Sequence, residues 1–159
     1  MKRLSGRLLR KSGAPGWKGS EQEKGKTAVR EQEQRINIGD RVRLFGHENK
    51  QILLVDISNC TAREVEEITR RVPDFVTAQP RSSVLILTDF AGASFDQDTL
   101  RAIEETAVFD KPFVKKSALI GTESLPREFH EQMKSFSRRE LPIFSSREEA
   151  LRWLVEPAP

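Results

Sequence analysis

The chain has 159 residues, one cysteine, and 27 basic side chains against 24 acidic ones. That length holds one domain and an appendage rather than two cores, and the single Cys60 excludes an internal disulfide. The longest apolar run, Ile52-Leu53-Leu54-Val55, is far short of the roughly 18 residues needed to span a bilayer.

The charge is unevenly placed. Residues 1–20 contain Lys2, Arg3, Arg7, Arg10, Lys11 and Lys18 and no acid. This +6, set against a net charge of +3, leaves −3 for the rest of the chain. The body is therefore not a basic domain with a specific nucleic-acid site. No signal-peptide core follows the first charges, because Leu8-Leu9 is broken at once by Arg10-Lys11. A cytoplasmic protein is the expectation.

Residues 1–36 read as a basic, disordered tail. Leu4, Leu8, Leu9 and Trp17 are too few apolar groups to offset the entropy of ordering it, and Gly13-Ala14-Pro15-Gly16 breaks any helix begun at Leu4. Other readings compete: weak, salt-sensitive electrostatic binding to acidic membrane or nucleic acid, an organelle transit peptide, or an inert extension.

Residues 37–157 read as one α/β domain. Val42–Phe45 and Ile52–Ile57 are strand-like, and the polar spacer Gly46–Lys50 between them suits a hairpin. Thr61-Ala62-Arg63-Glu64 fits a capping box, followed by Val65, Ile68, Val72 and Val76 at helical spacing. Val84–Leu87 is apolar on both faces, as in a central strand covered on both sides. Asp96 can cap the next helix, with Leu100, Ile103 and Ala107 inward, and Lys111-Pro112 ends it. Phe113–Ile120 is a third central strand. Gly121–Ser124 then turns into a helix with Leu125, Phe129, Met133 and Phe136 on one side. Leu141–Phe144 is a short strand at an edge, since proline cannot donate to a ladder. Ser145 and Ser146 offer overlapping N-caps to a last helix carrying Ala150, Leu151, Trp153 and Leu154. Such alternation predicts a mixed sheet of four to five strands with about four packed helices and right-handed crossovers.

In open α/β sheets, ligands gather beyond the carboxyl ends of the strands. Those ends carry Asp56 and Ser58, then Asp89 and Gly92, then Gly121 and Thr122. Two acids on adjacent strands have the chemistry to hold a divalent cation, and the set Asp56, Asp89, Thr122 resembles the acid–acid–hydroxyl layout of receiver domains. The likeness fails on two points: Ile57 and Ser58 follow Asp56 where receivers have an acidic pair, and Lys111-Pro112 precedes its strand instead of following it. The simpler role of such residues is to fix the next turn. Cys60 lies beside a helix start, a place that lowers a thiol pKa, but a lone cysteine more often serves as a small buried hydrophobe. His47 and His130 form no metal motif, and no glycine-rich nucleotide loop follows any strand. No cofactor is expected. Gly121 reads as a left-handed turn, Thr99 as helix surface and Arg138-Arg139 as a solvated helix end.

The segment Val84–Asp96 (VLILTDFAGASFD) resembles the centre of STAS domains, found in sporulation anti-sigma-factor antagonists and sulfate-transporter tails. From Arg41 to Val155 the body is similar to the uncharacterised bacterial STAS-like family grouped with CRAL-TRIO lipid-transfer domains. Ile52–Cys60, Leu87–Asp96, Lys111–Gly121 and Phe144–Leu154 carry that similarity. The resemblance implies a mixed sheet with helices packed on it, often self-associating. The chain departs from the phosphoswitch members, for Phe95–Leu100 holds no serine at the helix start where theirs is phosphorylated. Two function classes follow. One is a non-catalytic module that binds a protein partner or a second copy through Asp89, Gly92, Phe95, Asp96, Asp98 and Thr99. The other binds a small apolar or lipid-like ligand between helices and sheet, for which a body of this size has little spare volume.

A chain lacking residues 1–34 should melt within a few degrees of the full chain, because composition alone gives that stretch no core to build. A large drop in calorimetric melting temperature would mean that Leu4, Leu8 or Trp17 packs on the body.

Overall fold

The computed structural model describes residues 38–157, so the reading of residues 1–36 as a disordered tail lies outside the described residues. The elements run α1 (Ile38–Arg41), β1 (Val42–His47), β2 (Lys50–Asp56), α2 (Ala62–Val76), β3 (Val84–Asp89), α3 (Gln97–Asp110), β4 (Val114–Ile120), a 3-10 turn (Thr122–Ser124), α4 (Arg127–Ser137), β5 (Ile143–Phe144) and α5 (Arg147–Val155). The expected α/β class, hairpin and four principal helices are all present.

The five strands lie in chain order in one sheet. β1 pairs antiparallel with β2, and every later neighbour is parallel. The hairpin is tighter than its polar spacer suggested. Its strands continue through Gly46 and Gln51 to the His47–Lys50 pair, leaving only Glu48 and Asn49 in the turn. Both have positive φ, 48° and 66°, the backbone of a turn that matches the natural twist of paired strands.

Successive parallel strands joined by right-handed crossovers place their connecting helices on one side of the sheet. Accordingly α2 packs on α3, and α3 on α4. α2 buries Val65, Ile68, Val72 and Val76 as its spacing predicted, and its capping box between Thr61 and Glu64 is complete. α4 buries Phe129, Met133 and Ser137, so its inner stripe advances by fours and leaves Phe136 46% exposed, against the expectation. On α3 the buried positions are Thr99, Ala102, Ile103, Ala107 and Asp110, with Leu100 only half-buried.

Among the described elements, α5 alone covers the opposite face. Ala150, Leu151 and Leu154 pack on Ile52, Leu54, Leu85, Leu87, Ala118 and Ile120, with Phe144 and Trp153 at the margin. Lys116 reaches from β4 beneath this helix. Its Nζ donates to the carbonyls of Trp153 (2.8 Å) and Glu156 (2.9 Å) and lies 4.7 Å from the Trp153 ring centroid. A cation is thereby held on the negative end of the helix dipole. Ser146 caps the other end by accepting from the Glu149 amide, while Ser145 donates to the Glu149 carboxylate.

β3 is thus sandwiched between helices on both faces, and Leu87 is fully buried in it. Leu87→Ala should cost about 2–5 kcal/mol in denaturant unfolding. A neutral result would contradict the central placing of β3.

Candidate functional site

Beyond the carboxyl ends of β2, β3 and β4 the chain does not splay. The loops remain joined by backbone hydrogen bonds, from Ile57 N to Asp89 O (3.0 Å), Asn59 N to Ala91 O (2.7 Å), Phe90 N to Ile120 O (3.0 Å) and Ser94 N to Cys60 O (2.9 Å). The Ser124 hydroxyl adds a bond to Ala93 O at 2.9 Å. Two glycines permit the close approach. A side chain on Gly121 (φ +67°) would stand 2.6 Å from the Ala91 amide nitrogen, and one on Gly92 (φ +70°) would collide with the Asn59 side-chain oxygen. Gly121 has the left-handed turn role its sequence context suggested.

The acids of this edge are committed to the loops. Asp56 Oδ1 accepts from the Ser58 amide (3.0 Å) and hydroxyl (2.5 Å), and Asp89 Oδ1 accepts from the Ala91 amide (3.0 Å). Each carboxylate also has an arginine 3.4 Å away, Arg41 at Asp56 and Arg147 at Asp89. Arg41 donates as well to the Ser58 carbonyl at 3.0 Å. Asp56 and Asp89 are register partners on adjacent strands, but a guanidinium beside each opposes a divalent cation between them. No group of three or more His, Cys, Asp or Glu side chains suited to a metal occurs among the described residues. Thr122 opens the 3-10 turn and joins neither acid's hydrogen bonds.

At the start of α3, Asp96 and Thr99 cap one another reciprocally. Asp96 Oδ1 accepts from the Thr99 amide at 2.8 Å, and the Thr99 hydroxyl oxygen accepts from the Asp96 amide at 2.7 Å. Thr99 is 1% exposed, so it is an interior cap and not the helix surface that its sequence position suggested. Phe95 is half-buried with its ring centroid 6.0 Å from that of buried Phe90. Asp98 is exposed and pairs with Arg101 at 3.8 Å. The candidate surface therefore divides: Asp89, Asp96 and Thr99 build the loop, while Gly92 and Asp98 face outward and Phe95 lies partly open.

Cys60 is buried with its thiol toward the Ser58 carbonyl at 3.4 Å. Burial pushes its pKa up to about 11, against the pull of Arg41. The thiol is not activated, because loss of solvation, with Glu64 and Asp56 acting the same way, outweighs the pull of Arg41.

A second polar locus lies between the sheet and α2–α4, where a cavity of about 70 Å³ is lined by Val72, Ile86, Leu119 and Met133 together with Asp110 and Arg139. Asp110 ends α3, is 2% exposed, and has no hydrogen-bond partner at Oδ1. Arg139 follows α4 and has buried, unpartnered Nε and Nη1. The reading of Arg138-Arg139 as a solvated helix end holds for Arg138, an exposed left-handed C-cap, and fails for Arg139. The signal for Asp110 was present in the sequence, since Ile103, Ala107 and Asp110 continue one helical stripe. Nothing local marked Arg139 as its neighbour.

The comparisons with known proteins bear on the fold. No protein-family model matches the chain, and no curated protein is a match. The chain is similar in structure to an uncharacterised DUF3478-family protein with a SpoIIAA-like fold from Shewanella loihica PV-4, with 16% sequence identity and a TM-score of 0.57. The match covers 71% of this chain and 91% of that one. The fold is SpoIIAA-like, the STAS-like architecture its segments suggested.

Asp110 supplies a pH test of this geometry. Burial raises its carboxyl from an ordinary 3.8 to about 7, although the Arg139 charge pulls the other way. Between those values the folded chain keeps a proton that the unfolded chain has released. The group's contribution to stability is therefore complete below the lower value and is lost as pH rises through the upper one. Asp110→Asn should remove this fall from denaturant-unfolding profiles across the window, and a variant with the wild-type slope would show that the carboxyl ionises normally.

Proposed function

We propose that this chain is a non-catalytic, cytoplasmic STAS-like binding module that engages a protein partner, or a second copy of itself, at the loop rim beyond β3. The observation that carries this reading is the commitment of the rim's reactive-looking groups to its own backbone. Asp56, Asp89, Asp96 and Thr99 each hold a turn or a helix start, which produces a firm platform with Gly92, Ser94 and Asp98 outward. A rigid rim loses little conformational entropy on docking, which favours recognition. Without a serine at the α3 start, its regulation would not run through the phosphoswitch of the STAS antagonists that the sequence resembles.

A second reading is favoured by one specific observation, the cavity between the sheet and α2–α4 with unpartnered polar atoms on its wall. Its volume suits a small molecule and not a whole lipid, so the CRAL-TRIO comparison would extend to the place of binding and not to the size of the ligand.

The rim reading is tested at Asp98, whose charge can be reversed without touching the Asp96–Thr99 cap. Asp98→Lys should change stability by no more than about 1 kcal/mol, the scale of a helix-dipole contribution, while abolishing self-association in sedimentation and partner recovery in pull-downs. Thr99→Ala should instead destabilise by about 1 kcal/mol through loss of the cap. Unaltered association of a folded Asp98→Lys chain would remove the rim from consideration.

A further inference from the structure

The cavity between sheet and helices has a defined chemical polarity. Its walls are apolar at Val72, Ile86, Leu119 and Met133, carry the hydroxyl residues Thr69, Thr88, Thr106 and Ser117, and include the charged pair Asp110 and Arg139. Asp110 Oδ1 and Arg139 Nε and Nη1 are buried without partners. Buried polar atoms are almost always satisfied, and three orphans on one wall require an explanation. The two side chains come from adjacent helix ends, Asp110 from the last residue of α3 and Arg139 from just beyond α4. They are near enough for each charge to shift the other's titration, yet these atoms do not satisfy one another.

The electrostatics indicate what is missing. Loss of solvation outweighs the attraction of Arg139 at Asp110 and leaves that carboxyl readily protonated. A protonated Asp110 is a hydrogen-bond donor, and Arg139 can only donate. With Asp110 protonated, the wall presents donors and the half-buried Arg139 cation with no anion. A carboxylate would accept from both and supply the compensating charge. A water-sized position occupies roughly 10–15 Å³, so the cavity of about 70 Å³ corresponds to a molecule of on the order of six non-hydrogen atoms.

We propose that this cavity binds a short-chain apolar monocarboxylate, with its carboxylate on Arg139 and Asp110 and its hydrocarbon tail among Val72, Ile86, Leu119 and Met133. This inference rests on the second reading above and specifies its ligand class. The head group selects for an anion that can accept two hydrogen bonds, and the small volume favours about four carbons over longer acids.

Butyrate is the probe, with 1-butanol as a neutral molecule of similar length and octanoate as the longer acid. Binding to the full chain is followed by amide and methyl NMR shifts and by calorimetry. Butyrate should move signals from Ile86, Leu119 and Met133 and bind more tightly than butanol, and octanoate should bind poorly. Arg139→Met should weaken butyrate by roughly tenfold or more while leaving butanol unchanged. Because removing one member of a buried charge pair destabilises whereas removing both need not, the Asp110→Asn, Arg139→Met double variant is measured beside it as the folded control. Butanol binding without butyrate binding would overturn the carboxylate head while leaving the ligand reading in place. Exclusion of both probes would remove the ligand reading itself and show that Asp110 and Arg139 are bridged by water alone. Equal butyrate affinity in folded Arg139→Met would also overturn the proposal.

Discussion

A sheet whose parallel strands follow one another in chain order, joined by right-handed crossovers, receives its connecting helices on one face only. In this protein α2, α3 and α4 obey that constraint, and the second face of β2, β3 and β4 is left with Ile52, Leu54, Leu85, Leu87, Ala118 and Ile120 to cover. The nine-residue α5 does so. Both ends of this short helix are tied to the sheet by charge: Lys116 holds its last carbonyls from below, and Arg147 in its first turn meets Asp89 at the end of β3. The polar chemistry of the strand ends is therefore inseparable from the closing of the core.

The same constraint explains the loop edge. Three parallel strands ending together bring three loops side by side, and their backbone groups need partners there as much as they do inside the sheet. The ladder continues past the strands, Gly92 and Gly121 making room for it. Aspartates at such an edge look like ligands in a sequence. In the structure they accept from the amides two residues on, and each is paired with an arginine from a neighbouring element. Binding by this edge would be recognition of a prearranged surface, and among the described residues the buried side-chain polar atoms without partners belong to Asp110 and Arg139.

Local patterns carried most of the architecture. The Val65-Ile68-Val72-Val76 spacing, the Thr61–Glu64 box and the doubly apolar Val84–Leu87 run each depend on neighbours a few residues away, so periodicity and capping chemistry sufficed to place them. The misplaced residues depend on distant partners. Thr99 is buried because it lies on the face of α3, packed against α2 and α4, that also buries Ala102, Ile103 and Ala107, and Phe136 is exposed because α4 turns its stripe by fours toward Ser137. Arg41 and Arg147 belong to the strand-end acids, and Arg139 belongs to Asp110, only through the three-dimensional fold. The strand-end positions of Asp56 and Asp89 followed from local pattern, whereas the nearness of Asp110 to Arg139 followed only from the fold.

The position of α5 in the chain has a consequence for biosynthesis. Every strand it covers is made before it, so during translation the sheet can gather α2, α3 and α4 while Leu54, Leu87 and Ile120 still face outward. Nascent chains in that state present an apolar sheet face of the kind that recruits chaperones or pairs with itself. Proteolysis or premature termination between Ser137 and Arg147 would make the state permanent. Quality control of this protein would then turn on its last helix more than on any residue of the loop rim.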